Sequence, residues 1–217
     1  MTAAATRPPQ MGRPTKRVAI GRAARVVFSR EGYTRASVES IAAEACVSKR
    51  TIYNHYRDKE HLLLDVLSES THELAAHHEE VIDRHLDAPD DLRSALVALG
   101  RALATPQSGF DEHFALVRVI FAEASRLPAE VTDSWRRDGP QRTQERLTER
   151  FTALSGDGRL HAPDPRAAAA HFTQLVTSEP YERSFHGALP LPGKEVDALV
   201  GSGVDAFLQL HGADTRA

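Results

Sequence analysis

The strongest constraint on this chain is helical periodicity. Leu63, Val66, Leu67, Leu74, Val81 and Leu86 recur at helical spacing from Lys59 onward. Asp58 is placed to cap that segment, so a helix is expected from Lys59 to about residue 86, about 40 Å long at 1.5 Å per residue. No convincing run of alternating apolar residues argues for a sheet. The chain is therefore read as all-α.

The same pattern divides the rest. From Thr15, the residues Val18, Ala19, Ala23, Val26 and Val27 repeat at helical spacing, and Gly32 suits a C-cap. Ser37 opens a second helix with Val38, Ile41, Ala42 and Ala45 inward. Cys46-Val47 makes a tight turn, and Ser48 caps a third helix with Ile52 and Tyr56 inward. Further helices follow around Leu92–Leu103, around the stripe Phe110, Phe114, Val117 and Phe121, from Pro128 to about Leu154, from Asp164-Pro165, and from about residue 193 to 211. Pro180 is expected to end or kink the penultimate one.

Charge is distributed unevenly. Residues 1–60 hold 12 Lys+Arg against 5 Asp+Glu, a net +7, while the remaining 15 against 25 give −10. A basic head on an acidic body focuses positive potential at one end, as expected of a protein that docks on a polyanion. With 41% hydrophobic and 26% charged residues, a packed core is within reach. The organisation expected is a disordered basic arm (1–13), a small basic head of short helices (14–58) and a larger, acidic helical body (59–217).

The segment VSKRTIYNHYRDKEHL (47–62) is dense in hydrogen-bonding side chains. Two short helices joined by a tight turn, the second rich in donors, form a helix-turn-helix. Its second helix fits the major groove of DNA, where N-terminal side chains reach base edges. With Ile52 and Tyr56 buried, Lys49, Arg50, Thr51 and Asn54 are left facing outward, and Tyr53 and His55 extend toward flanking phosphates.

The run from Phe28 to Leu64, FSREGYTRASVESIAAEACVSKRTIYNHYRDKEHLLL, resembles the DNA-binding domain of TetR-family repressors. The shared pattern is F-x-x-x-G-Y, the S-V-x-x-I-A helix, a turn ending in S-K, and T-I-Y-x-H-Y-x-x-K-E-x-L. In the body, FALVRVIFAEASRLP (114–128), the DGP turn and GRLHAPDP resemble an AefR-like C-terminal domain. Cys46 stands at a turn position often held by glycine, which puts the turn geometry in question.

The resemblance implies a cytoplasmic homodimer that binds double-stranded DNA at a near-palindromic operator and lets go when a small, mostly apolar effector fills the body. Carried over by position, it implies phosphate contacts for Ser37, Tyr53, His55 and Lys59, and base or nearby backbone contacts for Lys49, Arg50, Thr51 and Asn54. Gly12-Arg13-Pro14 resembles the core of a minor-groove hook and adds Arg13 to the expected DNA contacts. A sequence-tolerant nucleoid protein without an effector is the alternative.

For the body, the expected effector pocket comprises Phe110, Phe114, Val117, Phe121, Trp135, Phe151, Phe172 and Leu175, with His113, His171 and Glu179 as orienting polar groups. The same aromatic residues would serve equally as core. The last two helices carry apolar faces interspersed with small residues, and a twofold axis would pair them through Ala168, Val196, Leu199, Val200, Gly203, Val204 and Phe207. Packing of the last helix on its own chain is the alternative there.

Other chemistry finds little support. Cys46 is the only cysteine, so no intramolecular disulfide can form. The adjacent His77 and His78 point about 100° apart on a helix and do not readily share a metal. There is no G-x-S-x-G and no phosphate-cradling glycine loop. Neither an enzyme nor a cofactor or metal is expected. No apolar run reaches the roughly 18 residues a membrane span needs, and the N-terminus lacks the apolar stretch of a secretory signal.

Overall fold

The computed structural model describes residues 15–213, ten α-helices with no strand among them. The head contains α1 (Lys16–Glu31), α2 (Val38–Glu44) and α3 (Lys49–Tyr53), followed by the long α4 (Lys59–Leu86). The body adds α5 (Leu92–Ala104), α6 (Asp111–Glu123), α7 (Ala129–Arg136), α8 (Arg142–Gly156), α9 (Pro165–Arg183) and α10 (Gly193–His211). A single isolated bridge joins Leu160 to Gly212.

Local chemistry sets the boundaries. Asp58, Asp91 and Asp164 each accept a hydrogen bond from the third backbone amide of the helix they precede, those of His61, Ser94 and Ala167. Ser37 and Ser40 form a reciprocal capping box at the start of α2. The bend after α2 places Cys46 at φ 54°, a left-handed conformation that favours glycine. There the Val47 amide reaches back to the Ala42 carbonyl at 2.9 Å.

Prolines sit inside two helical stretches, one of them against the sequence expectation. Pro180 does not end α9, which runs on to Arg183 with Pro180 buried three residues from its end. Only the last turn follows the interruption, so the lost ladder bond falls where helices fray. Pro140 likewise sits inside a continuous helical path. A π-helical turn over Arg137–Gln141 takes up the extra backbone between α7 and α8.

Two apolar clusters hold the molecule together. The head cluster packs Ile20, Val27, Phe28, Ile41 and Ile52 on Leu62, Leu63, Val66 and Leu67 of α4, and it extends to Leu116 and Ile120 of α6 and Val131 of α7. The body cluster centres on Phe151, Phe172 and Phe207, whose ring centroids lie 5.3–5.7 Å apart, with Leu96, Leu99, Val176, Val200 and Val204 around them. α8 is also clamped to α4 electrostatically: Arg146 meets both oxygens of Asp83, Arg150 adds a third contact at 2.9 Å, and Arg142 pairs with Glu79. Thus α4 belongs to both halves, with its first turns in the head core and its later turns in the body.

Candidate nucleic-acid interface and ligand cavity

α3 is held by its inward side. Ile52 and Tyr56 are buried, and the Tyr56 hydroxyl donates to Asp65 of α4 at 3.0 Å. Arg17 of α1 meets the other oxygen of Asp65 at 2.8 Å. Burial, and then the Asp65 carboxylate, push the Tyr56 phenol up to about 12. These three residues lock α1, α3 and α4 together. The motif did not call for this triad, although Tyr56 and Asp65 lie at the spacing that a helix start brings together.

The outward side carries Lys49, Arg50, Tyr53, Asn54 and His55, all exposed. The helix is shorter than the motif implied: Asn54 is its C-cap and His55 lies in the turn that follows, so both sit at its far end. Lys49 pairs with Glu39 of α2, which raises its pKa and holds the Glu39 carboxyl down. Thr51 places its hydroxyl 2.9 Å from that of Ser48. Ser37 is half-buried, its hydroxyl engaged in the capping box. Arg13 lies outside the described residues.

Lys59 departs from its expected place on the DNA face. Its ammonium donates to the carbonyls of Tyr33 and Ala36 at 2.8 and 2.9 Å and lies 4.3 Å from the centre of the Tyr33 ring. Burial lowers its pKa. It straps the α1–α2 loop to the start of α4, because the first turn of α4 faces that loop and not the exterior.

The body contains a cavity of about 590 Å³ between α4, α6, the α7–α8 junction and α9. Of the residues expected there, His113, Phe114, Val117, Phe121 and Trp135 line it. The others are placed elsewhere. Phe151 and Phe172 are fully buried in the body core. The ring of Phe110 lies against His77, 5.8 Å between centroids. Leu175 and Glu179 face outward on α9, the latter paired with Arg183 at 3.3 Å. His171, also exposed, places Nδ1 3.0 Å from Nε2 of His211. The physical reason is the orientation of α9: Thr173, Thr177 and Tyr181 turn into the cavity, so residues on its other faces meet the core or the exterior.

Missed by the sequence reading were Thr71, Leu74, Ala75 and His78 of α4, together with Thr173, Thr177 and Tyr181 of α9. Their i, i+4 spacing was a usable signal, since small polar residues at helical intervals are unusual on a core-facing stripe. The π-helical turn contributes Gly139 and Pro140. Gly139 packs so tightly on α4 that an added Cβ would lie 2.7 Å from the Thr71 methyl.

Burial governs the ionisation of this cavity. It pushes the imidazole of His113 down to about 4, and that of His78 to about 4 with help from the neighbouring His77 and His113. It raises the Tyr181 phenol to about 12. All three are neutral at pH 7. Among the described residues, no group of three or more His, Cys, Asp or Glu side chains gathers as a metal site would require.

The expected dimer residues also need correction. Ala168, Val196, Val200, Gly203, Val204 and Phe207 are buried within the single chain, and Leu199 is half-buried. The broad apolar face of α10 is taken up by α9 and α5. A Cβ at Gly203 would lie 2.2 Å from the Leu175 carbonyl oxygen, so the small residue serves an intrachain approach. The outward side of the α9–α10 pair carries Leu175, which is 37% exposed, and Leu210, which is 63% exposed.

Residues 20–66 match the description "Bacterial regulatory proteins, tetR family", and residues 94–213 match "AefR-like transcriptional repressor, C-terminal domain". No curated protein matches the chain. Among solved structures, a protein from Mesorhizobium loti described as a TetR-family transcriptional regulator is 28% identical, with a TM-score of 0.80 over 91% of this chain and 96% of that one. The "Flavonoid-responsive Regulator FrrA" is 26% identical, with a TM-score of 0.66 over 93% and 98%. A TetR-family transcriptional regulator from Pseudomonas syringae is also 26% identical, with a TM-score of 0.60 over 93% and 98%. No described helix is long and apolar enough to cross a membrane.

Proposed function

The chain belongs to the TetR family of bacterial regulatory proteins, with an AefR-like C-terminal domain, and from that premise we propose that it is a cytoplasmic homodimeric repressor. It binds a palindromic operator and leaves it when a small molecule fills the body cavity. The observation that carries this reading is the double membership of α4. Through Asp65 and Lys59 its first turns hold α3 and the α1–α2 loop, and through Thr71, Leu74, Ala75 and His78 its middle walls the cavity.

The coupling follows from geometry. Two recognition helices on one face of DNA must sit about 34–36 Å apart. A ligand that spreads α4 and α6 tilts each head through Tyr56 and Asp65, and a few ångströms of misfit forfeit several contacts at once. The ligand need favour the splayed state by only a few kcal/mol. The dimer would form on the outward side of α9 and α10, around Leu175 and Leu210, since the inward side is already occupied. Arg50, Tyr53, Asn54 and His55 would supply the DNA contacts, joined by Lys49 once it exchanges Glu39 for phosphate, and by Arg13 in the minor groove.

Fluorescence anisotropy with a palindrome from upstream of the gene tests the reading. Specific binding should exceed binding to scrambled DNA by about a thousandfold. Arg50→Ala and Tyr53→Phe should each weaken it while sedimentation still shows a dimer. Equal affinity for both DNAs would favour a sequence-tolerant nucleoid protein instead.

A further inference from the structure

Several hydrogen-bonding groups on the cavity wall have a definite polarity. The Tyr181 hydroxyl donates to the Leu103 carbonyl at 2.7 Å, and Thr177 donates to the Thr173 carbonyl at 2.7 Å. Thr173 donates to the Ala169 carbonyl at 3.0 Å. Each of these hydroxyls has spent its one proton and keeps only lone pairs. Ser70 Oγ likewise reaches the Leu67 carbonyl at 3.1 Å, and with its proton placed there the imidazole of His113 is the donor across their 3.0 Å contact through Nδ1. In that tautomer His113 Nε2 is an acceptor.

Among the described residues, two further polar atoms of cavity-lining side chains are buried without a partner: Thr71 Oγ1, on a residue only 2% exposed, and His78 Nε2. Groups left in this state are the exception in folded proteins, and at a cavity wall a bound molecule is what can complete their bonding.

Formal charge narrows the choice. The lining residues include no Asp, Glu or Lys. The only permanent charges are Arg136, whose side chain is 67% exposed, and the exposed Arg166. An organic cation would meet like charge and no counter-ion. A carboxylate, which only accepts hydrogen bonds, would meet acceptors if set against Thr173, Thr177, Tyr181 and His113, beside imidazoles that burial keeps neutral and away from the exposed arginines.

Building on the reading of this cavity as the effector site, we propose that it selects an uncharged aromatic or fused-ring molecule bearing a hydroxyl donor, a phenol or equivalent. The hydroxyl is directed at Thr71, His78 and His113, and the ring system lies against Phe114, Phe121 and Trp135. A cavity of about 590 Å³ accommodates two to three rings.

Calorimetric titration of the full chain at pH 7.5 with four size-matched probes tests this: 4-hydroxybiphenyl, 4-methoxybiphenyl, biphenyl-4-carboxylate and a biphenyl-4-trimethylammonium salt. The hydroxy compound should bind about tenfold tighter than the methoxy compound, and both charged probes more weakly than either. Thr71→Val keeps the shape of the side chain and should cut hydroxybiphenyl affinity about fivefold. Its affinity for methoxybiphenyl, which reports that the cavity is intact, should stay within about twofold. Equal binding of all four, preference for a charged probe, or no binding at all overturns the proposal. Addition of hydroxybiphenyl to the protein–operator complex separates the two claims: the expected binding order without DNA release keeps the ligand chemistry and removes the effector role.

Discussion

The backbone amide of Thr34 donates to a Glu123 carboxylate oxygen at 2.9 Å, and the Thr34 hydroxyl donates to the same oxygen. Thr34 lies in the α1–α2 loop of the head and Glu123 at the end of α6, the helix that also brings His113, Phe114, Val117 and Phe121 to the cavity. Burial opposes ionisation of Glu123, but the bonds from Thr34 outweigh it and hold the carboxyl below its usual range. Gly32, at φ 78°, admits the carboxylate, because a Cβ there would lie 2.4 Å from its oxygen. The head is therefore tied to the cavity by α6 as well as by α4.

Glu123→Ala should loosen that tie. The loss of a charged acceptor at a partly exposed site is worth about 1 kcal/mol, or about 2–4 °C in melting temperature. Operator affinity should fall about fivefold while the dimer persists. Thr34→Ala retains the amide bond and should show roughly half the thermal effect. Thermal melting and anisotropy on the two variants measure both, and an unchanged operator affinity in Glu123→Ala would dismiss α6 as a coupling element.

Cys46 is the strained point of the head. Its φ of 54° costs a residue with a Cβ about 1–2 kcal/mol, part of which glycine would recover after its own entropic cost. Cys46→Gly should therefore raise stability by about 0.5–1 kcal/mol, measured as a higher urea midpoint with an unchanged slope. Operator binding should be the same, since Cys46 is exposed and takes no part in the head cluster.

Whether a residue's place was legible in the sequence depended on how local its determinants were. Gly32, Ser37, Ser48 and Asp58 act on backbone groups within a few residues, and their caps were read from the chain alone. The outward face of α3 followed from burying Ile52 and Tyr56. Lys59 did not follow, because the carbonyls it binds come from residues 33 and 36, brought near only by tertiary packing. The same holds for Phe151, Phe172 and Phe207: periodicity says that they are buried, while the rotation of α8, α9 and α10 decides whether they meet the core, a cavity or a partner. Thr71 and His78 were passed over because a polar residue on a helix reads as solvated until a facing helix encloses it.

Gly203→Ala tests the close crossing of α9 and α10. The added methyl would sit 2.2 Å from the Leu175 carbonyl oxygen and 2.8 Å from its carbon, and neither backbone atom can rotate away. The helices must part, at a cost of about 1–3 kcal/mol as overpacked cores show. Parting them also displaces Leu175 on the outward side. The variant should melt lower and, if that side is the dimer contact, dissociate at higher concentration in sedimentation. Gly201→Ala, with nothing within 4 Å of its added Cβ, is the matched control and should raise stability through helix propensity.

The buried imidazoles make stability depend on pH in a stated direction. His78 and His113 titrate at about 4 in the folded chain, against an ordinary value of 6.5. Between those values the unfolded chain binds protons that the folded chain refuses, so stability falls as pH falls through the window and is complete above it. From pH 7.5 to pH 5 the loss should be about 2 kcal/mol for each imidazole at most, less where their coupling spreads the titration. Urea midpoints at the two pH values measure it. His113→Gln keeps a hydrogen-bonding side chain facing Ser70 while removing one titrating group, and should shrink the difference by about half. A midpoint that does not move between pH 7.5 and pH 5 would mean that both imidazoles are open to water, and the cavity would then be far less enclosed than its walls indicate.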